Sequence, residues 1–180
     1  VREGIRAANM HKYGTGADLV SMVYTGNLPT RNFRDGDFPI EAAQRLSSSD
    51  FLEKIGTGME GCFACAVRCK KVVKIEGKYA NDPDYGGPEY ETVGSIGPCC
   101  GVEDIAAVSL GSQLCNAYGL DSIGAGVNIA LAMEAFENGL LTPEQTDGMA
   151  LRFGDADVML SLLQKIAYRE GIGDLLAEGP

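Results

Sequence analysis

Apolar residues recur at helical spacing along most of the chain, and at strand spacing in one short stretch. In GADLVSMVYTGN (16–27), positions 19, 20, 23 and 24 form a helical stripe that Gly26-Asn27 closes. LPTRNFRDGDFP (28–39) carries two prolines and an Asp-Gly pair and reads as loop. IEAAQRLS and SSDFLEKIG then read as two short helices, the second capped by Ser48 or Ser49. KVVKIEGKYAN (71–81) alternates around Glu76-Gly77 and predicts a β-hairpin near residues 71–80. DPDYGGPEYE (82–91) is loop and leads into a helix around YETVGSIG.

From residue 102 the helical period dominates. VEDIAAVSLGSQLCNAYG (102–119) sets Ile105, Val108, Leu110, Leu114 and Cys115 near one face and ends at Gly119, a C-cap. DSIGAGVNIALAMEAFENG (121–139) predicts a buried helix whose small residues at 124–126 permit close packing. LTPEQ offers Thr142, Pro143 and Gln145 as a capping box opening another helix. DADVMLSLLQKIAYREG (155–171) is capped by Asp155 and stopped by Gly171, and IGDLLAEG adds a last turn. The fold class expected is mainly α: a multihelical domain over residues 1–180 with one small β-hairpin.

A chain of 180 residues can bury one sizeable core, and 45% hydrophobic with 22% charged residues is ordinary globular composition. The net charge of −10 argues against nucleic acid and anionic membranes as partners. No apolar run reaches the ~18 residues of a membrane span, and the N-terminal VREGIRAANMHKYG lacks the apolar run of a signal peptide. A start without Met and a stop at LLAEGP lead us to expect a piece of a longer protein. With no export signal, the six cysteines favour ligand or redox roles over disulfides, and a cytoplasmic location is expected.

Three of those cysteines, Cys62, Cys65 and Cys69, fall in EGCFACAVRCKK (60–71). On a helix the i, i+3, i+7 spacing would turn all three thiols to one side, a geometry for a metal centre rather than a disulfide. Zinc would need a fourth ligand, and the one histidine, His11, lies some fifty residues away, so Cys99, Cys100 or Cys115 would have to serve. An iron–sulfur cluster fits the spacing better, although Met59 and Lys70 depart from the ferredoxin run. Arg68, Lys70, Lys71 and Lys74 make the most basic patch of an acidic chain and would offset an anionic cluster. The alternatives are a solvated charge run and inert buried thiols.

GGPEYETVGSIGPCCG (86–101) is rich in glycines that let backbone approach a ligand, and it holds Glu89 and Glu91. CNAYGLDSIG (115–124) joins one helix end to the next, with Asn116 and Asp121 flanking the corner. Taken alone, Glu91 reads equally as a solvated carboxylate and Asp121 as a simple N-cap.

Together CFACAVRC, GPEYETVGSIG, CNAYGLDSIGAGVNIALAMEAFENGLL, GTGADLVSMVYTGNLPTRNF and GIGDLLAEG resemble the tungsten-dependent aldehyde:ferredoxin oxidoreductase family, in the right order and over nearly the whole chain. The likeness is to the first helical domain of a three-domain subunit. It implies that Cys62, Cys65 and Cys69 are three ligands of a [4Fe-4S] cluster, the fourth lying beyond residue 180. It implies pterin-contacting loops at 86–101 and 115–124, with the family's D-x-x-G-L-D motif falling on Asn116, Gly119, Leu120 and Asp121. The first position is an amide, which can hydrogen-bond a pterin but cannot act as a carboxylate. Glu91 is the residue that corresponds to the family's active-site glutamate.

The reaction so implied is oxidation of a small aldehyde to a carboxylic acid, with a tungsten (or molybdenum) bis-pterin, and with ferredoxin or another carrier taking the electrons. Residues 1–180 alone are expected to be inactive, to need the rest of their subunit, and to self-associate through faces that other domains would cover. The other readings are a family member reducing aromatic-ring thioesters, and a non-catalytic electron-transfer or structural helical domain.

Overall fold

The computed structural model describes residues 4–180; positions 1–3 of the N-terminal stretch read above lie outside the described residues. The elements in order are α1 (Ile5–Tyr13), α2 (Leu19–Thr25), α3 (Ile40–Leu46), α4 (Ser48–Ile55), β1 (Gly56–Glu60), β2 (Lys70–Val73), α5 (Tyr90–Ile96), α6 (Ile105–Tyr118), α7 (Ser122–Glu137), α8 (Ala156–Tyr168) and α9 (Ile172–Leu176), with short 3-10 turns at Pro83–Tyr85 and Pro98–Cys100. The mainly α class is as expected. The core lies between α5, α6, α7 and α8, where Ile96, Val108, Ile129, Met133, Met159, Leu162 and Leu163 are all fully buried. Each such side chain contributes up to about 1.5–3 kcal/mol of burial. The small residues of α7 do what their size predicts: a Cβ on Gly126 would lie 2.7 Å from Ser95, so glycine lets α7 press its backbone against α5.

Caps define the helix ends. Asp104, Asp121 and Asp155 each accept backbone N–H bonds at the starts of α6, α7 and α8. Gly119 closes α6 in a left-handed conformation at φ 69°. Arg169, not Gly171, ends α8, at φ 55°. Ser47 occupies the cap position of α4 without capping it; its hydroxyl accepts from Leu19 N–H and donates to the Ala43 carbonyl, tying α2 to α3.

Three expectations need correction. The two-stranded antiparallel sheet pairs β2 with β1, upstream of it, in the register Met59↔Lys71 and Glu60↔Lys70. No hairpin folds about Glu76-Gly77, because the Asn81 side chain takes the Ile75 N–H and the Val73 carbonyl that a second strand would need. The cysteine segment is not helical either: it is the loop from β1 to β2, with Ala64 and Arg68 both left-handed. In LTPEQ the Gln145 side chain does accept from Thr142 N–H, yet Asp147 and Gly148 are left-handed and turn the chain before a helix forms.

Candidate functional site

The loop between β1 and β2 is held at both ends and from one side. Strand pairing fixes its ends, and His11 of α1 reaches in, its Nδ1 2.7 Å from the Val67 carbonyl and 3.2 Å from that of Arg68. Carbonyls only accept, so Nδ1 carries the proton. Cys65 N–H donates to the Cys62 carbonyl across a tight turn. Cys62 and Cys65 are exposed and Cys69 is half-buried.

All three thiol residues line a cavity of about 360 Å³. Cys115, Asn116, Leu120 and Ser122, from the end of α6 to the start of α7, line the same cavity. Glu89, at the N-cap of α5, and Thr92, in its first turn, also line it, with the Thr92 and Ser122 hydroxyls 2.8 Å apart. The volume lies within the range of small-molecule and cofactor sites.

Of the residues singled out in the sequence, Cys62, Cys65, Cys69, Asn116 and Leu120 therefore meet at one cavity. Lys70, Glu89 and Cys115 line it too, whereas Gly119, Asp121 and Glu91 do not. Gly119 caps α6, and Asp121 accepts from Ile123 and Gly124 N–H as the N-cap of α7. Glu91 is exposed in the first turn of α5, outside the cavity lining, while Glu89 forms part of it.

The remaining cysteines are buried. Cys100 Sγ lies 3.4 Å from the carbonyls of Ser95 and Gly126, and burial pushes its thiol well above the ordinary range. Cys99 is raised for the same reason. Cys115 is pushed up to about 11 by burial, with a further contribution from Asp121.

The basic patch does not act as one. Lys70 lines the cavity and pairs with Glu60 at 3.6 Å, Lys74 reaches Glu76 at 3.8 Å, and Arg68 donates to the Met59 carbonyl. Lys71 is buried completely. Burial lowers its pKa, opposed by the carboxylate of Glu89. The sequence carried a sign of this: Lys71, Val73 and Ile75 share one face of the alternating stretch, and all three are buried. Thr15, which joins Lys71 to Glu89, had no such signal.

Among the described residues no three His, Cys, Asp or Glu side chains converge closely enough to hold a single metal ion. A cluster distributes its thiolates over separate irons, so three thiols that line one cavity without converging on a single point suit it better than one zinc. The hydroxyls and amide of the same cavity are of the kind that orient a polar heterocycle.

A family model described as aldehyde ferredoxin oxidoreductase, domains 2 and 3, matches residues 2–180. The tungsten-containing aldehyde ferredoxin oxidoreductases of Thermococcus kodakarensis and Pyrococcus abyssi are each 36% identical, over 97% and 99% of this chain. The aliphatic sulfonate oxidoreductase WOR-like subunit of Pyrococcus furiosus is 33% identical over 99%. The chain spans only 28–29% of the length of these relatives. The active site complex of benzoyl coenzyme A reductase with 1,5-dienoyl-CoA shares the fold, with a TM-score of 0.68 over 92% of this chain and 24% of that one, at 22% identity.

Proposed function

Because this chain belongs to the aldehyde ferredoxin oxidoreductase family, we propose that it is the helical, cluster-bearing part of a cytoplasmic tungsten enzyme that oxidises aldehydes. The observation that carries this reading is the meeting of Cys62, Cys65 and Cys69 with Asn116 and Leu120 at one cavity. The overall reaction converts an aldehyde and water into a carboxylic acid, two protons and two electrons, the electrons leaving to ferredoxin. When bound, a tungsten bis-pterin and a [4Fe-4S] cluster would supply the two-electron chemistry and its one-electron exit.

The chain's own residues hold and orient. Cys62, Cys65 and Cys69 present three thiolates from a loop that β1, β2 and His11 keep in place. Asn116 and Leu120 line the same cavity from the α6–α7 corner, the amide as a hydrogen-bonding group and the leucine as an apolar wall. Asp121 secures that corner by capping α7. Glu91 is the proposed carboxylate for moving a proton to or from the aldehyde's water.

Assay of the complete subunit, anaerobic and metal-loaded, tests the reading. Aldehyde-dependent reduction of ferredoxin is expected, absent in Cys65→Ala. Reduction of an aromatic-ring thioester without aldehyde oxidation would overturn the substrate assignment.

A further inference from the structure

We propose that buried Lys71 and its ion-pair partner Glu89, which lines the cavity, together set the reduction potential of the cluster held by Cys62, Cys65 and Cys69. The inference rests on the cluster reading of those thiols and goes beyond it to two residues that ligate nothing.

Lys71 lies two residues after Cys69 in β2, with its side chain 1% exposed. Its Nζ lies 3.0 Å from the Thr15 carbonyl, 3.3 Å from Thr15 Oγ1 and 3.4 Å from Glu89 Oε2. Three acceptors around one nitrogen match the three N–H donors of an ammonium. The Thr15 hydroxyl in turn donates to Glu89 Oε2 and accepts from Tyr90 N–H, which ties the pair to the start of α5.

Gly14 brings this ammonium close to the thiol loop. A Cβ there would lie 2.7 Å from the Cys69 carbonyl and 2.8 Å from Lys71 Nζ, so both groups border the same spot. Glu89, less buried, stands in the cavity wall itself.

A charge sealed from water acts over several ångströms with little screening. Reduction adds one negative charge to an already anionic cluster, so a nearby cation favours the reduced form and a nearby anion opposes it. Lys71, sealed from water, and Glu89, partly exposed at the cavity, are opposite levers clamped together by Thr15, and the sealed lysine is the stronger of the two. Remove one, and the other acts unopposed.

The test is an anaerobic titration with dithionite of the complete, cluster-loaded subunit, following the paramagnetic signal of the reduced cluster. Lys71→Met is expected to shift the midpoint to lower potential and Glu89→Gln to higher, with the double variant between the two. Midpoints that stay put, or that move the same way in both single variants while iron content is unchanged, would overturn the proposal. If Lys71→Met fails to take up iron, Glu89→Gln decides alone, and an unchanged midpoint there overturns it. A wild-type subunit that binds no cluster refutes the cluster reading itself and the inference with it.

Discussion

Cys62 is exposed on its loop, Cys100 is sealed against Ser95 and Gly126, and Cys115 faces the cavity with its thiol pushed up to about 11. Thiolate fraction and access both govern alkylation, so in metal-free protein Cys62 should react with iodoacetamide roughly tenfold faster or more than Cys100 or Cys115, as read by mass spectrometry. Equal rates would contradict the burial described here. The raised Cys115 value also has a sign. Between the ordinary thiol value of 9.0 and about 11, the folded chain keeps a proton that the unfolded chain has lost. Stability from this group is therefore complete below the lower value and is lost as pH rises through that window. The fall in urea midpoint between about pH 8 and about pH 10.5 should be smaller in Cys115→Ala than in wild type. For the carboxylates, Glu91→Gln in the complete enzyme should cut turnover by about 100-fold or more while sparing iron and tungsten. Wild-type rates in that variant would remove Glu91 from the mechanism and leave Glu89, which lines the cavity, as the carboxylate to examine.

α6 and α7 were legible because their signals are local: Gly119 ends α6, and Asp121 and Asn138 bound α7. The sheet was legible only in half. Lys71–Val73 alternates as a strand should, but its partner is GTGME, an exposed, glycine-rich segment with no apolar alternation. Its pairing is set by closing a loop over the cysteines, which is a tertiary event. The convergence of the thiols was likewise anticipated for a reason that does not hold, since left-handed Ala64 and Arg68 shape a loop there rather than a helix. Two substitutions test the elements. Asp121→Ala removes two N–H acceptors from α7 and should cost about 1 kcal/mol in chemical denaturation, with Asp121→Asn close to wild type. Gly126→Ala forces a methyl against Ser95 and should cost about 1–3 kcal/mol; an unchanged Tm would mean that α5 and α7 do not meet as described.

At the scale of the molecule, the fold carries two separate segments, 61–69 and 115–122, to one cavity. Sequence spacing alone could not bring them together, because some forty-five residues, with the whole of α5 and most of α6, lie between them. Resemblance to a family supplied that link beforehand, and the geometry now gives it a physical basis in cap, corner and loop. What the thiols hold is the central claim, and iron and acid-labile sulfide content after anaerobic reconstitution of the complete subunit tests it most directly. About four irons with equal sulfide per subunit are expected, with marked loss in Cys62→Ala. Zinc in place of iron, or a full complement of iron and sulfide retained by Cys62→Ala, would contradict the assignment of these cysteines as cluster ligands.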